Sequence, residues 1–159
     1  MKTILITGAT SGIGLAAAKK LANKKNQLIL CGRRRRKLDE ISEELSKSVN
    51  VLSLCFDISN KNEVNKLLRN LPKEFSSIDI LINNAGNAHG LETIQDGSLD
   101  DWDNMIDSNV KGLLYVSRVM IPKMIEQKSG HIINIGSLAG REVYEKGNIY
   151  CATKHAVNA

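Results

Sequence analysis

The sequence predicts an α/β fold of the doubly wound type, a parallel sheet with helices on both faces. Three observations lead there. Short β-branched and leucine-rich runs alternate with longer amphipathic stretches, with no repeat, low-complexity tract or break in composition. Aromatic residues make up only 4% of a chain that is 42% hydrophobic, so Val, Ile and Leu must fill the interior, as in strands buried on both faces. A glycine-rich turn directly follows the first strand-like run and opens onto a helical one. With 159 residues, positions 1 to 159 read as one domain with enough apolar material for a core.

The apolar runs place strands at Thr3 to Thr7, Gln27 to Cys31, Val51 to Phe56, Ile80 to Asn83 and His131 to Gly136. Helical periodicity fills the intervals at Gly12 to Asn23, Arg34 to Lys47, Asn60 to Asn70 and Leu99 to Gln127. Right-handed crossovers between successive strands give a sheet whose ligands sit at the strands' carboxyl ends. The helix from Asp100 to Gln127 carries apolar residues on more than one side, among them Met105, Val110, Leu114, Val116, Met120 and Met124. One side fits the sheet, and the other calls for a second subunit. The stretch from Ile149 to Ala159 starts a helix and stops with no Gly, Pro or polar cap, so the sequence reads as cut in mid-element.

Charge and cysteine content narrow the function classes. The formal net charge is +5, much of it in the run from Arg33 to Lys37, and no nucleic-acid-reading motif accompanies it; a local anion site is the expectation rather than a nucleic-acid partner. Cys31, Cys55 and Cys151 are odd in number and widely spaced, which argues against a disulfide framework or a metal site and for small hydrophobes in a reducing compartment. The N-terminal apolar run is too short for a signal peptide and no stretch approaches membrane-spanning length, so a cytoplasmic protein without a membrane partner is expected.

The turn Thr7-Gly8-Ala9-Thr10-Ser11-Gly12-Ile13-Gly14 has the spacing that lets backbone approach a pyrophosphate at a helix N-terminus. A tight βα turn without a ligand would read the same way; a P-loop is excluded because no Gly-Lys-Ser/Thr follows. Dinucleotide-binding folds place an acid at the end of the second strand to hold the adenosine ribose hydroxyls. Here that strand ends Cys31-Gly32-Arg33-Arg34, so support for NAD is missing and two guanidiniums offer forked donors to a ribose phosphate, which points to NADP. Arg35, Arg36 and Lys37 read as a solvated helix start.

Tyr150 and Lys154 stand four apart on one helix and so share a face. A phenol is a poor base at neutral pH, but a neighbouring ammonium and an oxidised nicotinamide favour its phenolate, making Tyr150 a usable general acid/base. Ser137, at the mouth of the fifth strand, can hydrogen-bond a substrate oxygen. The plainer alternatives are a turn serine at 137, a helix-surface amide at Asn109 and a helix-capping acid at Asp57. His131 and His155 read as structural. His89, on the ligand side of the sheet, is a weaker candidate for substrate contact.

Taken together, Gly8-x-x-x-Gly12-x-Gly14, Asp57, Asn83-Asn84-Ala85-Gly86, Asn109, Ser137 and Tyr150-x-x-x-Lys154 resemble, in order and spacing, the pattern of the short-chain dehydrogenase/reductase family. The segments Ile78 to Gly86, His131 to Ser137 and Gly147 to Tyr150 look most like its NADP-dependent 3-hydroxy acid dehydrogenases, which act on serine and L-allo-threonine. The resemblance implies a Rossmann-type nucleotide-binding domain and a small-molecule oxidoreductase. It makes Asn109, Ser137, Tyr150 and Lys154 catalytic, with Lys154 also holding the nicotinamide ribose and Asn109 distorting its helix to seat a proton-relaying water. It assigns the cofactor to Gly8, Thr10, Ser11, Gly12, Ile13, Gly14, Arg33, Arg34, Asp57, Ile58, Asn84, Ala85 and Gly86, besides Tyr150 and Lys154, with Asp57 on adenine. A homotetramer is implied as well.

Two departures stand out. Some NADP-using relatives place a basic residue where this chain has Ser11. Family members also continue past the Tyr-Lys helix into further strands and a substrate lid, so either the working protein is longer or these residues alone are not a competent enzyme. Other readings remain open: a carbonyl or 3-ketoacyl reductase, or a non-catalytic nucleotide-binding module. For a 3-hydroxy acid, Arg141 is the candidate cation for the substrate carboxylate.

Overall fold

The computed structural model describes residues 1–159. The chain runs β1 (Lys2–Thr7), α1 (Gly12–Leu21), β2 (Asn26–Gly32), α2 (Arg35–Ser46), β3 (Val51–Cys55), α3 (Lys61–Arg69), β4 (Ile80–Asn83), α4 (Leu99–Ile106), α5 (Leu113–Glu126), β5 (His131–Asn134) and α6 (Asn148–Asn158). The five strands form one parallel sheet in the order β3-β2-β1-β4-β5, so the order reverses between β1 and β4 and opens a crevice at their carboxyl ends. The doubly wound reading of the sequence holds.

Alternation along the strands builds a core on each face. Ile4, Ile6, Leu28, Leu30 and Ile82 pack with Ala18, Leu38, Ile41 and Leu45 of α1 and α2. Leu5, Ile29 and Leu81 point the other way and pack with Val64 and Leu68 of α3 and Val116, Val119 and Met120 of α5. Each such side chain, once fully buried, contributes about 1.5–3 kcal/mol. Because both faces are covered, β1 and β2 read as continuous apolar runs. β5 is exposed over most of its length. Caps define two helix starts: Asn60 accepts from the backbone N–H of Asn62 and Glu63, and Ser98 accepts from that of Asp101.

Three sequence boundaries are corrected. The expected single helix from Leu99 to Gln127 is broken into α4 and α5 by a π-helical stretch, Asp107–Gly112. Amphipathic periodicity survives a one-residue widening of the ladder, so the pattern did not reveal it. β5 ends at Asn134 rather than Gly136, because the chain there turns toward the 3₁₀ segment Leu138–Gly140. α2 begins at Arg35, which leaves Arg33 and Arg34 ahead of the helix; the cations opposing its dipole are Arg35, Arg36 and Lys37. Arg35 and Arg36 are offset one turn on by Asp39 at 3.9 Å and Glu40 at 2.9 Å.

The glycine turn is set by two contacts. Gly8 has φ +66°, and a Cβ there would lie 2.8 Å from the Ala85 Cα. A Cβ on Gly14 would overlap the Gly8 carbonyl and the Asn84 amide, so α1 rests directly on the turn. Gly14→Ala is therefore expected to cost about 1–3 kcal/mol or more, as overpacking against backbone does. Urea unfolding measures this, and an unchanged midpoint would show that helix and turn can separate freely.

Candidate active site

The crevice is a cleft of about 640 Å³. Its floor is the glycine turn, one wall is Asn84 to Ala88, and the opposite end carries Tyr150 and Lys154. Hydrogen bonds between loops hold these parts in place. Asn84 donates from Nδ2 to the carbonyls of Thr7 at 2.8 Å and Gly8 at 3.1 Å, while its backbone N–H and that of Ala85 both donate to Thr7 Oγ1 at 3.0 Å. Asn84 thus straps the end of β4 to the turn after β1.

The turn is equipped for an anion. Ser11 precedes α1 yet makes no side-chain cap, so the N–H groups of the first helical turn keep their capacity for a ligand. Its hydroxyl instead accepts from Arg34 Nη2 at 2.7 Å, and Thr10 Oγ1 accepts from Arg34 Nη2 at 2.7 Å and Nε at 3.1 Å. A guanidinium from the end of β2 therefore sits where the turn itself lacks a basic residue. Arg33 takes another direction and donates from Nη1 to Asp57 Oδ2 at 3.1 Å. Burial alone would raise the Asp57 carboxyl, but hydrogen bonds from the Ser59 backbone and hydroxyl, together with Arg33 and its charge, outweigh it and hold the group below the usual carboxylate range. At position 32 a Cβ would stand 2.8 Å from Thr10 Cγ2, so the absent acid matches a crowded site.

At the other end, Asn109 lies in the π stretch and is 2% exposed. Its Oδ1 accepts from the Asn87 N–H at 2.8 Å, and its Nδ2 donates to the Asn87 carbonyl at 2.8 Å and to Thr153 Oγ1 at 3.1 Å. One side chain thereby joins the loop after β4, the π stretch and α6. Thr153 in turn donates to the Tyr150 carbonyl at 2.8 Å. Lys154 is 8% exposed and donates from Nζ to the Ile135 carbonyl at 2.9 Å; Nζ lies 5.9 Å from the centre of the Tyr150 ring. Burial holds this ammonium below the ordinary lysine value. Ser137 is half-buried at the start of the 3₁₀ segment, and its Oγ accepts from the Ala139 N–H at 3.2 Å, which leaves its own proton free to donate.

The expected site residues are thus largely brought together. Gly8, Thr10, Ser11, Gly12, Ile13, Arg33, Arg34, Asp57, Ile58, Asn84, Ala85, Gly86, Tyr150 and Lys154 line the cleft. Gly14 lies beneath it. Asn109 stands behind the wall, and Ser137 adjoins the lining residue Gly136 without lining the cleft itself. His89 and Arg141 are exposed and line neither this cleft nor a second cavity of about 570 Å³ between residues 93–95 and 143–148. Asn87, Ser108, Thr153 and Ile135 were missed; only Asn87, directly after Asn83-Asn84-Ala85-Gly86, had a positional signal. Cys31 and Cys151 are buried, but Cys55 is only partly so, with its thiol donating to the Arg33 carbonyl at 3.5 Å. No helix is long and apolar enough to cross a membrane.

Comparison with known proteins gives the same picture. The NADP-dependent 3-hydroxy acid dehydrogenase YdfG of Shigella flexneri is 44% identical over 151 residues, 95% of this chain and 60% of the relative. The NADP-dependent 3-hydroxy acid dehydrogenase of Schizosaccharomyces pombe is 45% identical over 98% of this chain and 61% of its own length. The chain therefore spans about three-fifths of the curated relatives it matches. Serine dehydrogenase from Escherichia coli superimposes with a TM-score of 0.93 at 42% identity, covering 98% of this chain and 71% of that one. A closed form of serine dehydrogenase complexed with NADP+ gives a TM-score of 0.93 at 42% identity, covering 98% of this chain and 62% of that one. The family model described as short chain dehydrogenase matches residues 2–159. Motif order, fold and family match agree along that whole span, and the chain belongs to the short chain dehydrogenase family.

Proposed function

We propose that this chain carries the cofactor-binding and proton-transfer parts of an NADP-dependent oxidoreductase acting on the CH–OH group of a small 3-hydroxy acid. The observation that carries the reading is one cleft lined by the glycine turn, Arg33 and Arg34 at one end and by Tyr150 and Lys154 at the other. The residues present fit the dinucleotide. Gly12 leaves open space where a Cβ would project, the start of α1 is uncapped by Ser11, and guanidiniums stand where a ribose phosphate needs forked donors. The names of the relatives support both NADP and the 3-hydroxy acid class.

When bound, the nicotinamide supplies the hydride acceptor or donor. The chain's own residues bind, orient and move the proton. Tyr150 Oη takes the substrate hydroxyl proton in the oxidative direction and returns it in the reductive one. The Lys154 ammonium favours the phenolate electrostatically and, with one donor on the Ile135 carbonyl, keeps its others for the ribose hydroxyls. Ser137 donates to the substrate oxygen with the proton that its Ala139 contact leaves free. Asn109 keeps the wall and α6 at fixed separation, and the widened ladder around it offers a place for a relaying water.

Tyr150→Phe keeps the ring and removes the titratable proton. It should leave NADP+ affinity within a few fold and lower kcat for serine oxidation by about 10²–10⁴. Lys154→Ala should lose both rate and cofactor affinity. Turnover by Tyr150→Phe above about a tenth of the parent would move proton transfer to another group.

We also propose a homo-oligomer, by family likeness a tetramer, with the stretch from Asp100 to Gln127 and the Tyr150 helix, α6, pairing across a two-fold axis. Leu114, Ile121 and Ile125 are 56%, 40% and 69% exposed on the outer side of α5. A second copy would cover them. Light scattering at micromolar concentration should report a multiple of the protomer mass, and a monomer would refute the arrangement.

A further inference from the structure

Arg33 and Arg34 are neighbours in sequence, but their partners differ in kind. All three side-chain hydrogen bonds of Arg34 go to the neutral hydroxyls of Thr10 and Ser11, so its positive charge is fixed in place without being offset. Arg33 is bound to a carboxylate that is itself immobilised. Asp57 Oδ1 accepts from the Ser59 N–H at 2.9 Å and the Ser59 hydroxyl at 2.8 Å, which leaves Oδ2 to hold Arg33 Nη1 at 3.1 Å. The Arg33 and Asp57 side chains are 62% and 34% exposed, and both line the cleft.

An anion reaching Arg33 therefore meets an ion pair rather than a free cation. Asp57 already holds Nη1 of the guanidinium, so an anion must compete with the carboxylate for it and gains only the difference between the two contacts, while direct repulsion between carboxylate and anion is screened by the solvent that reaches both side chains. A 2′-phosphate is the part of NADP that would feel this; the adenine, pyrophosphate and nicotinamide are common to NAD. We propose that Asp57 is a cofactor-selectivity residue: by offsetting the charge of Arg33 it limits the advantage of the 2′-phosphorylated dinucleotide and leaves Arg34 to carry most of it. The proposal rests on the NADP reading given above.

The ratio of dissociation constants for NAD+ and NADP+ isolates the effect, because any contribution of Asp57 to the shared adenine or to folding divides out. Calorimetric titration of both dinucleotides into the protein measures it without reference to turnover. Asp57→Asn keeps the shape and the acceptor for Ser59 while removing the charge. It should raise the preference for NADP+ by about two- to fivefold, the scale of an exposed ion pair released to an anion. The same change in an Arg33→Ala background should move the ratio less than twofold. Arg34→Ala should lower the preference more than Arg33→Ala does, a comparison that stands even if Asp57→Asn fails to fold. An unchanged or lowered ratio in Asp57→Asn, a gain that persists without Arg33, or equal losses from the two arginines would overturn the proposal. Equal binding of both dinucleotides by the parent protein would remove the NADP reading itself and the proposal with it.

Discussion

Asn84 donates to the carbonyls of Thr7 and Gly8, and this pair of hydrogen bonds ties the end of β4 to the turn that follows β1. Beyond the last ladder bond of a parallel sheet, backbone groups lose their regular partners and must find others. At this edge side-chain amides supply them. With Asn84 in place, the turn lies against Ala85, α1 can rest on the turn at Gly14, and the crevice between β1 and β4 acquires a floor and a wall. Asn109 repeats the device farther along, binding both backbone groups of Asn87 and reaching Thr153 of α6. The cleft is therefore a polar assembly standing on an apolar sheet.

The same logic reaches the lysine. The Asn83 carbonyl accepts from the Ile135 N–H at 2.9 Å, and the Ile135 carbonyl accepts from Lys154 Nζ. The Asn83 side chain reinforces the joint, donating to Ser117 Oγ at 3.0 Å and Asn134 Oδ1 at 2.9 Å. A buried ammonium with a single carbonyl partner is held at an electrostatic cost, and it gains from any further acceptor brought into the cleft. The proposed role of Lys154 toward the ribose hydroxyls and the phenolate would supply such acceptors. Asp57 is in the opposite condition, stabilised as the anion by Ser59 and Arg33. Its contribution to stability is full above the ordinary carboxylate value and is lost as pH falls through the lower folded value.

Much of this was legible in the sequence because it rests on local pattern. Strands announce themselves by uninterrupted apolar residues such as Leu28 to Cys31, and the turn from Gly8 to Gly14 by spacing alone. Tyr150 and Lys154 needed only helical geometry to be placed on one face. What escaped depends on partners far apart in the chain. Nothing near Asn109 reveals that its amide reaches Asn87 and Thr153; the distortion of its helix was implied by the family resemblance alone, because the π stretch leaves the apolar periodicity intact. Arg33 and Arg34 look equivalent until Asp57 and Thr10 arrive from the loops that follow two other strands. Ser137 shows the converse: its sequence position suggested the cleft, and the turn toward the 3₁₀ segment sets it just outside the lining.

The crevice between β1 and β4, and not the second cavity, is proposed to receive the nucleotide. Amide hydrogen exchange of the protein with and without NADP+ tests it directly, since bound ligand slows exchange where backbone is covered or ordered. Slower exchange is expected at residues 10–13, 32–34, 84–88 and 135–136, which line the cleft, and no change at 93–95 and 143–146, which line the other cavity. Protection confined to the second cavity, or no protection anywhere at saturating NADP+, would contradict it.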